Sequence, residues 1–217
     1  MGRDNIVDME GFELGDPALV CRWRLANRRL PLENRHMRAL LARTIDGERV
    51  TTELVAWAKQ HIEWTLEQGS AEHPDGTLML IVDVQGRAAM TVGPYAPLED
   101  ETARGLARRA ERASDEASHT GVAPETLWIS RNDVLVHDWG EGWKPSGATS
   151  LIEQLTQVLG IETHEREGLA EGVLTGSVSY DEVFLVSDEH GVVPASDATG
   201  KFGEKLAGGY QKLLEHR

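Results

Sequence analysis

The stretch WKPSGATSLIEQLTQVLGIETHER, residues 143–166, decides how this chain is read. A polar, glycine-rich loop, DWGEGWKPSG, ends at Gly147, and apolar residues then recur at helical spacing. Leu151, Ile152, Leu155 and Val158 fall on one face, which predicts a helix from Thr149 to Leu159. A short strand is expected at Ile161–His164, immediately after it. Glu162, His164 and Arg166 alternate, so all three share one strand face, where surface pairing is their ordinary role.

Working outward from this unit, the downstream chain reads as strands at Glu182–Val186 and Val192–Pro194, then an amphipathic helix at about 203–215. Upstream, strands at 126–130 and 133–137 pair through a turn near Asn132, and a charged, alanine-rich helix covers about 100–117. Gly93, Pro94 and Pro97 punctuate the chain, so two lobes are expected, 1–93 and 94–217. The first contains a strand at 17–26, a turn at Asn27–Arg29 and a helix from Glu33 to Arg43. A second helix follows at 53–68, capped by Thr51 or Thr52. SAEHPDG then breaks the chain before an apolar strand, Thr77–Val84, which returns through Gly86 as Arg87–Val92. Antiparallel pairs beside segregated helices indicate an α+β fold.

Composition narrows the function classes. The 36 acidic residues outnumber 22 basic ones, a formal net charge of -14. Such a field repels phosphate backbones and anionic lipid, so neither nucleic acid nor membrane is expected as a partner. The basic run Arg104, Arg108, Arg109 and Arg112 is interleaved with Glu101, Glu111 and Asp115 and reads as a solvated helix face. No stretch reaches the ~18 to 20 apolar residues of a membrane helix. With one cysteine, Cys21, and no secretory leader pattern, a cytoplasmic location is expected.

Three stretches together resemble the class IV aminotransferases, the branched-chain and D-amino-acid type that includes aminodeoxychorismate lyase. VDMEGFELGD (7–16), with LENRH (32–36) after the first strand, is similar to the family's D-R-G-F-x-x-G-D opening and L-x-x-H-x-x-R-L segment. WKPSGATSL with VLGIETHER (158–166) resembles its I-L-P-G-V-T-R turn, helix and strand. DEVFLVSDEHGVVP (181–194) resembles its E-x-F-L-T-G-T-A-x-x-V-x-P hairpin. The resemblance implies a two-lobed fold with a central segment shortened by about fifty residues, still large enough to fold. It also implies homodimers built through the first lobe.

The family's chemistry runs through pyridoxal phosphate (PLP), which needs a lysine, an acid on the pyridine nitrogen and donors around the phosphate. This sequence has no lysine between Lys59 and Lys144. The stretch before the strand at Leu127, SHTGVAPE, lacks the E-G-x-x-x-N pattern of the pyridine acid, although Glu125 lies beside it. Ala39 stands at the phosphate arginine's position, with Arg38 one step and ~100° away round the helix. Asp188 aligns with a phosphate-binding threonine, which puts an anion where a phosphate would sit. Only the turn Gly147–Ala148–Thr149 remains as an anion cradle.

The expectation is therefore a PLP-independent, degenerate relative. Either it is repurposed for a small amino-bearing or zwitterionic metabolite, or it is a catalytically silent dimer partner. The alternative is an active PLP-dependent aminotransferase or aminodeoxychorismate-type lyase using a lysine, of which Lys144 is the candidate. Asp188, Glu141 and His137 are the candidate acid–base residues. Trp139, Trp143, Gly147, Ala148, Thr149 and Asp188 are the candidate ligand-binding residues. No metal is expected, because no H-x-x-x-H or C-x-x-C spacing occurs.

Overall fold

A computed structural model describes residues 13–123, 125–138 and 144–215. The chain runs β1 (Pro17–Arg24), α1 (Glu33–Leu41), the small hairpin β2 (Thr44–Ile45) and β3 (Glu48–Arg49), α2 (Thr52–Gly69), β4 (Thr77–Asp83) and β5 (Ala88–Gly93). It continues with α3 (Ala103–Thr120), β6 (Val122–Ala123), β7 (Glu125–Arg131), β8 (Val134–Asp138), β9 (Lys144–Pro145) and α4 (Gly147–Val158). Then come β10 (Thr163–Glu165), α5 (Leu169–Thr175), β11 (Glu182–Ser187), β12 (Gly191–Pro194) and α6 (Lys201–Glu215). The architecture is α+β.

In β1 the side chains alternate as the sequence requires. Leu19, Cys21 and Trp23 are buried together with Leu78, Leu80 and Val82 of β4, and this face packs on Met37 and Leu40 of α1 and Ala58 and Ile62 of α2. The sheet is antiparallel, ordered β1-β4-β5. Its other face carries Val20, Arg22 and Arg24, and there Val20 and Arg22 look into a cavity against the second half of the chain. Asn27 and Arg28 both adopt positive φ, 50° and 64°, in the tight turn after β1 that Asn27–Arg29 predicts.

The second sheet is ordered β10-β8-β7-β11-β12. All six residues of β11 are buried, as are the first six of β7. Such runs bury both faces. Leu127, Ile129, Val183 and Leu185 meet α3 and α5, while Trp128, Phe184 and Val186 meet α4 and α6.

Four helix N-termini receive a carboxylate from elsewhere in the chain. Asp197 accepts the Ala103 N–H at α3 (2.7 Å), and Asp188 accepts the Ala148 N–H at α4 (2.7 Å). Asp138 accepts the Leu169 N–H at α5 (3.0 Å), and Glu182 accepts the Gly203 N–H at α6 (2.9 Å). Each satisfies an orphan donor and meets the positive end of a helix dipole. The helix α5 was not foreseen from the sequence. It is only seven residues long, between Gly168 and Gly176 at φ 70° and 75°, and so too short to display a periodicity.

Candidate functional site

The two halves meet where β1 faces the end of β11. The Arg24 N–H donates to the Asp188 carbonyl (3.0 Å), and the Thr77 hydroxyl donates to Glu189 (3.3 Å). Farther along, Arg35 of α1 donates to Ser150 (3.1 Å) and to Gln154 of α4. Between these ties lies a cavity of about 180 Å³, bordered by Arg22 of β1, Arg109, Arg112 and Glu116 of α3, and Glu125 and Glu189 at the strand ends.

Asp188 borders this cavity, but its carboxylate is directed into the protein. The residue is 3% exposed. One oxygen takes the Ala148 N–H, and the other lies 3.4 Å from His36 Nδ1. That separation is within ion-pair reach, yet the ring is not aligned for a hydrogen bond, so Nδ1 is buried without a hydrogen-bond partner. Burial alone raises the carboxyl's pKa; His36, the Ala148 N–H and Arg43 outweigh it and hold the pKa below the usual range. His36 stacks on Trp23 (5.3 Å between centroids), which fixes the ring. Gly147 is required here, since a Cβ would lie 2.5 Å from His36 Nδ1. Thr149 is fully buried and shares hydrogen bonds with Thr126 (2.9 Å) and Ser146 (3.1 Å).

The other sequence-derived candidates are dispersed. His137 packs on Trp128 (4.4 Å) and does not border the cavity that Asp188 does. Burial lowers its pKa to about 4, so at neutral pH it is an uncharged imidazole. Lys144 is exposed, its backbone N–H bonded to the Gly121 carbonyl. Trp139, Glu141 and Trp143 lie outside the described residues. Among the described residues no group of three or more His, Cys, Asp or Glu is arranged to hold a metal, and no helix is long and apolar enough to cross a membrane.

The charged groups of the cavity escaped the sequence reading, which gave the α3 arginines to solvent. That holds for Arg104, Arg108 and Arg112, all exposed, with Arg108 paired with Asp100 on the surface (2.6 Å). Arg109, ~100° further round the helix, turns inward instead and pairs with the buried Glu125 (2.7 Å). Ser187 donates to the same Glu125 oxygen (3.2 Å), and Arg109 also reaches His190 Nε2 (3.3 Å). The side chains of Arg22 and Arg112 are exposed and make no ion pair among the described residues. Burial pushes the pKa values of Glu116 and Glu189 up, against the pull of Arg43 and Arg22 on the first and of Arg22 and Thr77 on the second. One signal for this set was present in the sequence: Val20, Arg22 and Arg24 alternate with the core-facing residues of β1, a cationic face on a strand whose other face is wholly apolar.

No family model matches the sequence, and no curated protein matches it either. Solved structures do match in shape. The 4-amino-4-deoxychorismate lyase of Pseudomonas aeruginosa superposes with a TM-score of 0.55 at 15% identity, covering 93% of this chain and 92% of that one. The fold IV-transaminase CpuTA1 of Curtobacterium pusillum gives 0.58 at 10% identity, covering 97% and 93%. A branched-chain amino acid aminotransferase of Thermobaculum terrenum gives 0.52 at 14%, covering 90% and 82%. At such identities the likeness concerns the path of the chain and not its chemistry. The protein has the class IV aminotransferase-like fold.

Proposed function

We propose that this protein works without PLP, as a degenerate class IV aminotransferase-like protein whose remaining cleft receives a small metabolite. The observation that carries this reading is the Asp188 carboxylate on the first turn of α4, bonded to Ala148 and facing His36. By resemblance this is the turn that would hold the cofactor's phosphate, and a phosphate brought there would meet a buried anion already satisfied by the same amide. The residues do not fit the cofactor in one further respect: among the described residues no lysine borders the cavity beside Asp188.

The experiment is incubation with PLP, borohydride reduction and peptide mapping. No lysine should carry a stoichiometric pyridoxyl group, and no band should grow near ~420 nm, where the cofactor's imine with lysine absorbs. Full labelling of a single lysine, Lys144 above all, would instead favour an active aminotransferase or lyase.

The silent-partner version has its own support in α2. Trp57 stacks on His61 (4.0 Å), and His61 meets Trp64 edge-on (5.0 Å), with Trp64 half exposed. An aromatic ridge of this kind suits a protein contact. A homodimer would give twice the 23.9 kDa chain mass in light scattering at micromolar concentration. A species of single-chain mass would count against it.

A further inference from the structure

We infer that a groove along α6 binds the free anion of an alkanoic acid, its carboxylate on Arg24, Tyr95 and Tyr210 and its alkyl chain against Pro31, Leu213 and Leu214. No residue of α4 borders this groove, and neither does Asp188, so the site stands apart from the PLP-free reading above.

The groove joins two hollows. One, of about 660 Å³, is bordered by Arg24 at the end of β1, by Tyr95 and His190, and by Tyr210 of α6. The other, of about 630 Å³, is bordered by Leu30 and Pro31 ahead of α1 and by Leu213 of α6. Ala26, Asn27, Leu214 and Glu215 border both, so one space runs on into the other. At ~30 Å³ per water, each hollow has room for far more than a bare ion.

The first hollow collects donors that lack an acceptor. The Arg24 guanidinium lies 3.4 Å from the centroid of the Tyr95 ring, and its Nη1 is buried with no hydrogen-bond partner. Arg24 forms no ion pair among the described residues. Tyr210 is 5% exposed, and its hydroxyl makes no hydrogen bond among the described residues. Its ring is pressed on Gly191, where a Cβ would lie 2.5 Å from the ring carbon Cε1, so the phenol cannot retreat. Tyr95 offers a third donor. Arg109 can only donate, and it reaches His190 Nε2 (3.3 Å), so the neutral imidazole carries its proton on Nδ1 and gives it to the Tyr95 oxygen (3.2 Å). The Tyr95 proton is left for another acceptor. The carboxylates of the rim are exposed and engaged elsewhere: Asp75 accepts the Asn27 N–H (2.9 Å), and Glu215 accepts from Gln211 (3.5 Å). A guanidinium and two phenols without an acceptor call for an anion.

Beyond the donors the groove offers apolar surface. Leu213 is 43% exposed, Leu214 and Pro31 are partly exposed, and all three border the second hollow. A single exposed leucine needs no explanation. Two in succession, along a groove that ends on an unpaired cation, match an amphiphile. A short carboxylate would meet the donors and leave the leucines in water; a neutral alkyl chain would do the reverse. An alkanoate meets both. Arg29 also borders the second hollow, but it is exposed, so water satisfies its charge and the head group belongs at Arg24. A nucleotide would lay a polar, multiply charged body against the leucines, which the hydrophobic effect disfavours.

Titration calorimetry on the full chain would use acetate, butyrate, hexanoate and octanoate, with octanol and octylamine as probes of the head group. Octanoate should bind with a dissociation constant of about 0.1 mM or tighter. From butyrate to octanoate, each added methylene should tighten binding about threefold. Octanol and octylamine should bind at least tenfold more weakly than octanoate, since neither brings a charged acceptor. Arg24→Gln should weaken octanoate about tenfold or more, and Tyr210→Phe about threefold or more. Leu214→Ser should flatten the dependence on chain length. Tyr210→Phe removes an oxygen that bonds nothing in the protein, so it should keep the parent melting temperature and gives a reading even if Arg24→Gln folds poorly. Silence from octanoate overturns the inference. So does acetate binding as tightly as octanoate, the mark of a plain oxyanion site, or octanol binding as tightly, the mark of an indifferent apolar groove. Octanoate binding that survives Tyr210→Phe unchanged and is lost in Arg29→Gln would place the head group at the other end and overturn it as well.

Discussion

Asp188→Ala should lower stability by about 3 kcal/mol, the cost of removing one partner from a buried, charge-assisted contact. For a chain of this size that corresponds to a fall in melting temperature of roughly 6–12 °C. The loss has two sources. The Ala148 N–H would remain buried at the N-terminus of α4 without an acceptor, and His36 would keep its place beside Gly147 with no anion opposite it. Neither group can escape, because Trp23 holds the imidazole and Gly147 is pressed against it. Asp188→Asn keeps an acceptor and loses only the charge, so its penalty should be smaller. The vacated corner leaves the Ala148 N–H at the N-terminus of α4 open to an anion, with His36 beside it. Sulfate or phosphate should therefore restore much of the alanine variant's melting temperature. The wild type should gain no more than the modest increment that sulfate confers on folded proteins generally. An alanine variant as stable as its parent, or one that sulfate helps no more than the wild type, would show that Asp188 is a peripheral residue and remove the main support for the PLP-free reading.

The fold was legible wherever one element carries a complete pattern. Leu127–Ser130 and Glu182–Val186 are continuous runs bounded by turn residues, and they form the doubly covered centre of the second sheet. Thr51 caps α2 through the Leu54 N–H (3.2 Å), one of the two candidates that its sequence offered. The exposed pair Glu162 and His164 meets at 3.0 Å on the predicted strand face. What stayed hidden depends on partners far away in the chain. Asp188 was visible as an anomaly, but the groups that neutralise it come from positions 36 and 148. Arg109 could not be separated from Arg108 by spacing alone, because the inward side of α3 is fixed by Glu125 and by the lobe opposite. Charged residues at an interface between lobes look, along the sequence, the same as charged residues facing water. The cleft was therefore expected around His137 and the 139–143 loop, whereas the described charged groups converge on β1 and α3.

Acidification should cost the fold the stability held by two buried, uncharged histidines. Burial holds His137 and His190 near a pKa of about 4, and Arg109, Arg24 and Arg22 add to the effect at His190. In the unfolded chain both return to about 6.5. Between these values the unfolded state binds more protons than the folded one. The stability these residues contribute is thus complete above pH 6.5 and is lost as the pH falls towards 4. By pH 5.5 each histidine should cost about 1 kcal/mol, from ~1.4 kcal/mol per pH unit reduced for partial solvent screening. Glu116, Glu153 and Glu189 act in the opposite sense, because their folded pKa values are raised by burial. Their contribution is present below the ordinary carboxylate pKa and is lost as the pH rises through their raised folded values, so acidification returns part of what the histidines lose, and the His190 share is read from the difference between wild type and a His190 variant. Around His190 the remaining groups are the Tyr95 hydroxyl (3.2 Å) and the carboxylates of Glu125 (3.6 Å) and Glu189 (3.9 Å). Those two carboxylates would welcome a proton on the ring, and the three arginines outweigh them. Urea unfolding at pH 7.5 and 5.5 should show a loss of up to about 2 kcal/mol in the wild type. His190→Gln, which retains hydrogen-bonding atoms but does not titrate, should lose about 1 kcal/mol less than the wild type over the same interval. A variant as acid-sensitive as the parent would mean that His190 is already protonated in the folded protein, paired with Glu125 in place of Arg109.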